Sequence, residues 1–331
     1  MTVLIKGAGV AGLALAAELA RREVAVAVID RSESLLGNAS AMAGGMLAPW
    51  CERASAEEEV LTWGRDAADW WNDILPGEVT RNGTLVVAPG RDRAELARFA
   101  SRTTGYTVID ADRIAELEPD LAGRFHHALF FQSEAHLDPR RALSGLLDIL
   151  KSRGVRFYFG GTFNEAAENC SLEADCTGFA RAADDPDLRG VRGEMLILRT
   201  AEISLSRPVR LLHPRFPVYV VPRQDHCFMV GATMIESSRA GPVSVRSMME
   251  LMNAAYSLHP AFGEAEVVET GVGVRPAYPD NLPRVKVEGG VVSVNGLYRH
   301  GFLLAPAMAR QAADLLCEQI SGMELRNGTH G

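Results

Sequence analysis

The chain has 331 residues, 47% of them hydrophobic and 23% charged, with a net charge of −8. It is long enough for a large core and two domains, and the acidic balance argues against nucleic acid as a partner. No stretch approaches the ~18 apolar residues that a transmembrane helix needs, and five cysteines without CxxC spacing fit a reducing cytoplasm better than a disulfide framework or a zinc site.

The chain opens on Val3-Leu4-Ile5, a short apolar run that predicts a buried parallel strand. Gly7-Ala8-Gly9-Val10-Ala11-Gly12 follows at once, then good helix formers from Leu13 to Arg22, then a second apolar strand from Val24 to Ile29. Gly7 permits a tight turn, Gly9 lets backbone approach a pyrophosphate, and Gly12 lets helix and strand pack closely. The helix N-terminus offers free N–H groups and a positive dipole end to phosphates. Asp30 lies 18 residues past Gly12, where an acid can accept hydrogen bonds from a ribose. The stretch reads as a dinucleotide site. Met1 to Ala20 superficially resembles a signal peptide, but its only cation, Lys6, sits inside the apolar run and the glycines keep fingerprint spacing.

Small residues from Asn38 to Met46, ending in Gly44-Gly45, suit a segment whose backbone lies against a flat ligand. Glu57 to Ile74 predicts one helix with Trp63, Trp70 and Ile74 on its buried face. Next come a strand from Gly83 to Ala88, a helix from Arg91 to Arg102, a short helix from Asp110 to Leu117 and a strand from Ala128 to Gln132. A turn over His136–Arg140 leads into a helix from Arg141 to Arg153, and Val155 to Phe159 is a strand. His126, His127 and His136 lack ligand spacing, so no metal site is expected. Residues 160–190 are loose and acidic, apart from a strand-like Ala174 to Gly178. From Gly193 the pattern alternates: Met195–Leu198, Val218–Val221 and Cys227–Ala232 predict strands, with a turn at Arg223–His226. Val243 to His259 predicts a helix capped by Ser244 and stopped by Pro260. Val267–Val274 and Val291–Val294 follow as strands, and then a last helix from about Ala305 to Ile320. Gly322 to Gly331 is polar and expected to fray.

Three further blocks accompany the fingerprint: Ala43 to Pro49, Tyr219–Arg223 running to Val230–Thr233, and Gly273–Pro276 running to Tyr298–Pro306. In this order the set resembles the D-amino-acid oxidase and glycine oxidase family of flavoenzymes, and is most similar to its glycine oxidase branch of bacterial thiamine (thiazole) biosynthesis. The resemblance implies an α/β fold: a Rossmann-type, glutathione-reductase-like FAD-binding domain from residues 1–78, 136–185 and 272–331, interleaved with an antiparallel-sheet substrate domain from 79–135 and 186–271. It also implies FAD, held non-covalently because no cysteine stands in the blocks assigned to the flavin ring. The family's FAD contacts fall on Gly7, Gly9, Val10, Ala11, Gly12, Asp30, Arg31, Ala39, Ser40, Gly44, Gly45 and Met46. They continue at Phe163, which matches the position covering the adenine end, and at Leu297, Tyr298, Arg299, His300, Gly301, Phe302 and Leu303.

The family's substrate residues fall on Arg275, matching the arginine that forks onto a carboxylate, on Tyr219 beside it, and on Arg299 as a second pocket residue. A planar guanidinium supplies two parallel charge-assisted bonds, which is what orienting a carboxylate needs. The implied reaction is oxidation of a small amino acid, glycine first. Hydride would leave Cα–H for flavin N5, and oxygen would reoxidise the flavin to give peroxide. The other readings are a quinone- or protein-linked dehydrogenase of the same fold, and a flavin-binding subunit without its own activity. Cytoplasmic location is expected, and the sequence leaves a homo-oligomer open. The chain departs from the family at Pro217, where a histidine can stand, at His300, where asparagine is common, and in its short 164–193 region.

Overall fold

The computed structural model describes residues 1–161, 170–213 and 217–328, and two sheets organise it. The first sheet has six strands in the order Arg284–Glu288, Val291–Asn295, Leu172–Asp175, Thr2–Lys6, Ala25–Asp30, Arg156–Phe159. All neighbours are parallel except the first pair. Val3, Leu4 and Ile5 are at most 1% exposed, which explains a strand apolar on every residue: helices cover one face and further chain the other. The first helix, Val10–Arg21, packs on Pro139–Ser152 and on the last helix, Gly301–Gly328. Its run of Ala and Gly lets these axes approach closely.

The second sheet has nine strands and is antiparallel except where Val209–Leu211 runs parallel to Thr84–Val87. Arg189–Arg199 is paired along its whole length with Glu266–Ala277, in a register that sets Gly193 opposite Gly273 and Val191 opposite Arg275. Its other edge pairs with Cys227–Gly231. The helix Val245–Leu258 covers the far face, and Ser244 caps it by accepting from Ser247 N–H. Among the described residues no helix is long and apolar enough to cross a membrane.

Several elements differ from the sequence expectation. The stretch 57–74 is two helices, Glu58–Gly64 and Ala67–Ile74, broken at Arg65-Asp66. A Cβ on Gly64 would lie 2.7 Å from Leu303 Cγ, so the first helix closes on the last helix there before the chain turns. The turn brings Trp70 and Trp71 edge-to-face in the core, 4.9 Å apart. Arg189–Arg199 is longer than its Met195–Leu198 core, and residues 178–183 form a 3-10 turn where a loose segment was expected. Thr107–Asp110, Val209–Leu211 and Arg284–Glu288 are strands that the alternation did not reveal. Pro139–Ser152 begins earlier than expected, with Asp138 capping Arg140 and Arg141 N–H.

The last helix starts at Gly301 and not near Ala305, although Pro306 lies inside its second turn. Proline has no N–H for the carbonyl four residues back, which here belongs to Phe302. Trp71 Nε1 donates to that carbonyl at 2.8 Å, so the buried acceptor is satisfied from another helix. The helix runs on to Gly328, beyond the Ile320 end expected from the sequence, and 329–331 lie outside the described residues.

Candidate active site

A cavity of about 1010 Å³ runs along the carboxyl ends of the parallel strands and across to the second sheet. Ligands of open α/β sheets bind in this position. One end is built from the fingerprint turn. Gly7 has φ +99°, and a Cβ there would meet the Cys176 carbonyl oxygen at 2.4 Å. A Cβ on Gly12 would stand 1.9 Å from Gly7 O, so Gly12 lies behind the cavity and serves helix–strand packing. Gly7, Gly9, Val10 and Ala11 line the cavity. Asp30, at the end of its strand, accepts from Ala8 N–H at 2.7 Å and Ser32 N–H at 2.8 Å, and it lines the cavity beside the exposed Arg31. Ser40 Oγ accepts from Val10 N–H at 3.0 Å, capping from a distance a helix whose own cap residue, Gly9, has no side chain.

The middle is lined by Ala39, Met42 and Gly44 from one side and by Gly193, Met195 and Gly273 from the second sheet. Arg223 Nη2 donates to Gly44 O at 2.8 Å and holds the double-glycine segment in place. The far end is lined by Leu297, Tyr298, Arg299, Gly301 and Phe302. Tyr298 sits at φ +51°, a left-handed conformation costly for a bulky residue and typical of functional sites. It is held by its N–H bond to Pro276 O at 2.9 Å. The N-terminus of the last helix therefore opens onto the cavity, with the dipole sense that favours negative charge.

A smaller cavity of about 80 Å³ adjoins the large one, and Gly44, Tyr219, Arg275, Arg299 and Phe302 line both. Gly45, Met46, His300 and Leu303 belong to the smaller one. Phe163 lies outside the described residues. Tyr219 rests on the bare face of Gly44, where a Cβ would come within 2.6 Å of Cε2. Arg275 likewise lies over Gly193, where a Cβ would be 2.2 Å from Nη2, and it donates from Nη1 to Thr233 O at 3.0 Å. Burial pushes the Tyr219 phenol up, against the pull of Arg275, so it stays protonated and able to donate. Burial lowers Arg275, but a guanidinium keeps its proton.

Arg299 is differently placed. Its Nε and Nη2 donate to Glu52 Oε2 at 2.8 and 2.5 Å, and Nη2 also reaches Ser55 Oγ at 2.8 Å. Arg210 donates to the other oxygen, Oε1, at 3.0 Å. Burial would raise the Glu52 carboxyl, but Arg299 and Arg210 hold it well below the usual carboxylate range. His300 is buried, and burial with the surrounding arginines lowers it to about 3, so its ring is neutral.

Sequence reasoning missed Glu52, Arg210 and Gly193. Glu52 sits on a helix of five residues, Pro49–Arg53, and Arg210 on a strand of three, Val209–Leu211, both too short for a periodic signal. Gly193 was noticed only as the start of a strand pattern; the register opposite Gly273 is what makes it a site residue.

The residues present fit a dinucleotide cofactor: a glycine turn whose backbone lines the cavity, an acid at one end, and a helix N-terminus at the other. Residues 2–315 match the family model DAO, FAD dependent oxidoreductase. The chain belongs to that family. FAD is its cofactor, and it is an FAD-dependent oxidoreductase. It is 61% identical over 320 residues to a Rhizobium etli thiamine biosynthesis oxidoreductase, ThiO, covering 96% of this chain and 98% of that protein. Glycine oxidase from Pseudomonas putida is 26% identical over 95% of this chain and 94% of its own. The fold is that of the crystal structure of glycine oxidase from Geobacillus kaustophilus, with TM-score 0.81, 22% identity, and 96% and 94% of the two chains covered.

Proposed function

We propose that this protein oxidises the Cα–N bond of a small amino acid, glycine first, to an imine, with oxygen as the electron acceptor. The observation that carries the reading is the small cavity against the FAD cavity, lined by Arg275 and Tyr219. Its 80 Å³ suits about five to eight water-sized groups, enough for the few heavy atoms of glycine. The names of the Rhizobium and Pseudomonas relatives support both the substrate and a place in thiamine biosynthesis.

Bound FAD would supply the two-electron acceptor, taking hydride from Cα–H and returning its electrons to oxygen as peroxide. Gly7, Gly9, Val10, Ala11 and Asp30 would hold the adenosine and pyrophosphate. Ala39, Ser40 and Gly44 would line the cofactor's middle and Leu297, Tyr298, Arg299, Gly301 and Phe302 its ring, whereas Gly45, Met46, His300 and Leu303 stand at the small cavity. Arg275 forks onto the substrate carboxylate, and the Tyr219 hydroxyl donates to the same group, so Cα–H is aimed rather than activated. The substrate amine must be neutral to push from its lone pair, and no side-chain base is needed for that. Met42, Met195 and Met229 pack around Tyr219 and keep water from the reacting carbon.

The test is anaerobic. Glycine added to the yellow protein under argon should bleach the flavin absorbance, and air should restore it with stoichiometric peroxide. Bleaching by no amino acid would remove the substrate class. Bleaching that air fails to reverse would move the acceptor from oxygen to a quinone or a partner protein.

A further inference from the structure

The small cavity brings three guanidinium groups and one carboxylate together. Glu52 divides its oxygens between two of the cations, Oε1 to Arg210 at 3.0 Å and Oε2 to Arg299 at 2.5 and 2.8 Å. Ser55 takes a further bond from Arg299. Arg275 donates only to a carbonyl oxygen and has no ion-pair partner among the described residues. All four side chains line the same 80 Å³. An ion pair with little solvent around it keeps its strength, and a second anion placed beside Glu52 meets like-charge repulsion.

We infer that Glu52 is a specificity-determining residue: it occupies Arg210 and Arg299, leaves Arg275 as the cation open to a ligand, and so restricts the pocket to ligands with a single acidic group. This rests on the reading of Arg275 as the carboxylate anchor. With Glu52 present, one bound carboxylate leaves the cluster of three arginines with a single excess positive charge. Without Glu52 one bound carboxylate leaves an excess of two, and a dicarboxylate brings it back to the single positive charge of the parent. A purely structural Glu52, clamping the helix Pro49–Arg53 to the strand Val209–Leu211, would affect mono- and dicarboxylates alike.

The experiment is calorimetric titration of the FAD-loaded protein with acetate and with malonate, so that binding is read without turnover. Glu52→Gln should raise the malonate-to-acetate affinity ratio at least about tenfold over the parent, mostly by tighter malonate binding. Should that variant fail to fold, Glu52→Gln/Arg210→Gln, which keeps the parent's net charge but frees Arg299 and removes the like charge of Glu52, should shift the ratio in the same direction by these two local effects. A ratio within threefold of the parent in the folded variants overturns the inference. Arg275→Ala separates the two claims. If it abolishes acetate binding while the ratio stays fixed in Glu52→Gln, the anchor stands and the role of Glu52 falls. If acetate binding survives Arg275→Ala while the ratio still rises in Glu52→Gln, Glu52 keeps its role and the anchor is another group.

Discussion

The side chain of Arg275 has its direction set from three sides: Pro276 keeps its backbone extended, Gly193 leaves room for the guanidinium, and Thr233 O accepts from Nη1. Arg275→Ala should cost on the order of 2–5 kcal/mol of transition-state binding, roughly 30- to several-thousand-fold in kcat/KM for glycine. Arg275→Lys should recover part of it, since a point charge cannot fork. A primary amine without a carboxylate is the control and should lose little. Glu134 makes a second prediction. It is 1% exposed, one oxygen accepts from Cys51 N–H at 2.7 Å, and the other has no partner among the described residues. Burial pushes it up to about 7 from the usual 4.5. A raised carboxyl is stabilising below its unfolded value, and that contribution is lost as pH climbs through the folded value. Glu134→Gln, always neutral, should therefore match the parent near pH 4.5 and exceed it by roughly 2–3 kcal/mol at pH 8. Chemical denaturation at the two pH values measures this, and a pH-independent difference would show that Glu134 titrates alike in the folded and unfolded chain.

Among the elements, the last helix shows how a local rule is overridden. Pro306 predicts a start near Ala305, because a proline inside a helix strands a carbonyl. The indole of Trp71 supplies the missing donor from the helix Ala67–Ile74, itself swung inward by the break at Arg65-Asp66. Trp71→Phe should cost about 1–3 kcal/mol from the buried Phe302 carbonyl left without a partner, in addition to lost packing. Pro306→Ala returns the helical N–H, so in that background the same Trp71→Phe change should cost measurably less, and a double-mutant cycle in urea reads the coupling. Strictly additive costs would mean that the indole bond contributes nothing net. Neither the break nor the indole bond has a sequence signature; each depends on Leu303 and Phe302 arriving from 230 or more residues away. The long apolar strands and the amphipathic helix 245–258, by contrast, carry their own period and were legible.

At the scale of the molecule, the large cavity proposed to hold FAD is shared by both sheets, with Gly7 and Asp30 from one and Gly193, Met195 and Gly273 from the other. A ligand seated there binds only when both sheets are folded and adjacent. FAD at a hundredfold excess over its Kd should add ~2.7 kcal/mol to stability, and melts followed by tryptophan fluorescence and by flavin absorbance should coincide. Two separated transitions, with FAD raising only one, would mean that the sheets unfold independently.

What the sequence by itself determined is the local part of this protein. The fingerprint from Gly7 to Gly12 with Asp30, the periodic strands and helices, and the block order that resembles the flavoenzyme family all depend on near neighbours in the chain. Arg275 was picked out by the resemblance to the family, and Pro276 beside it bears only on its direction. Tertiary structure alone decided the rest. It set Gly193 beneath Arg275 through strand register, Gly44 beneath Tyr219 through the packing of a loop on a sheet, and Glu52 between Arg210 and Arg299 from three distant segments. The physical reason is the range of the forces involved. Backbone propensity and periodicity act over a few residues, whereas a charge or a steric contact acts on whatever the folded chain puts within a few ångströms, whatever its distance along the sequence.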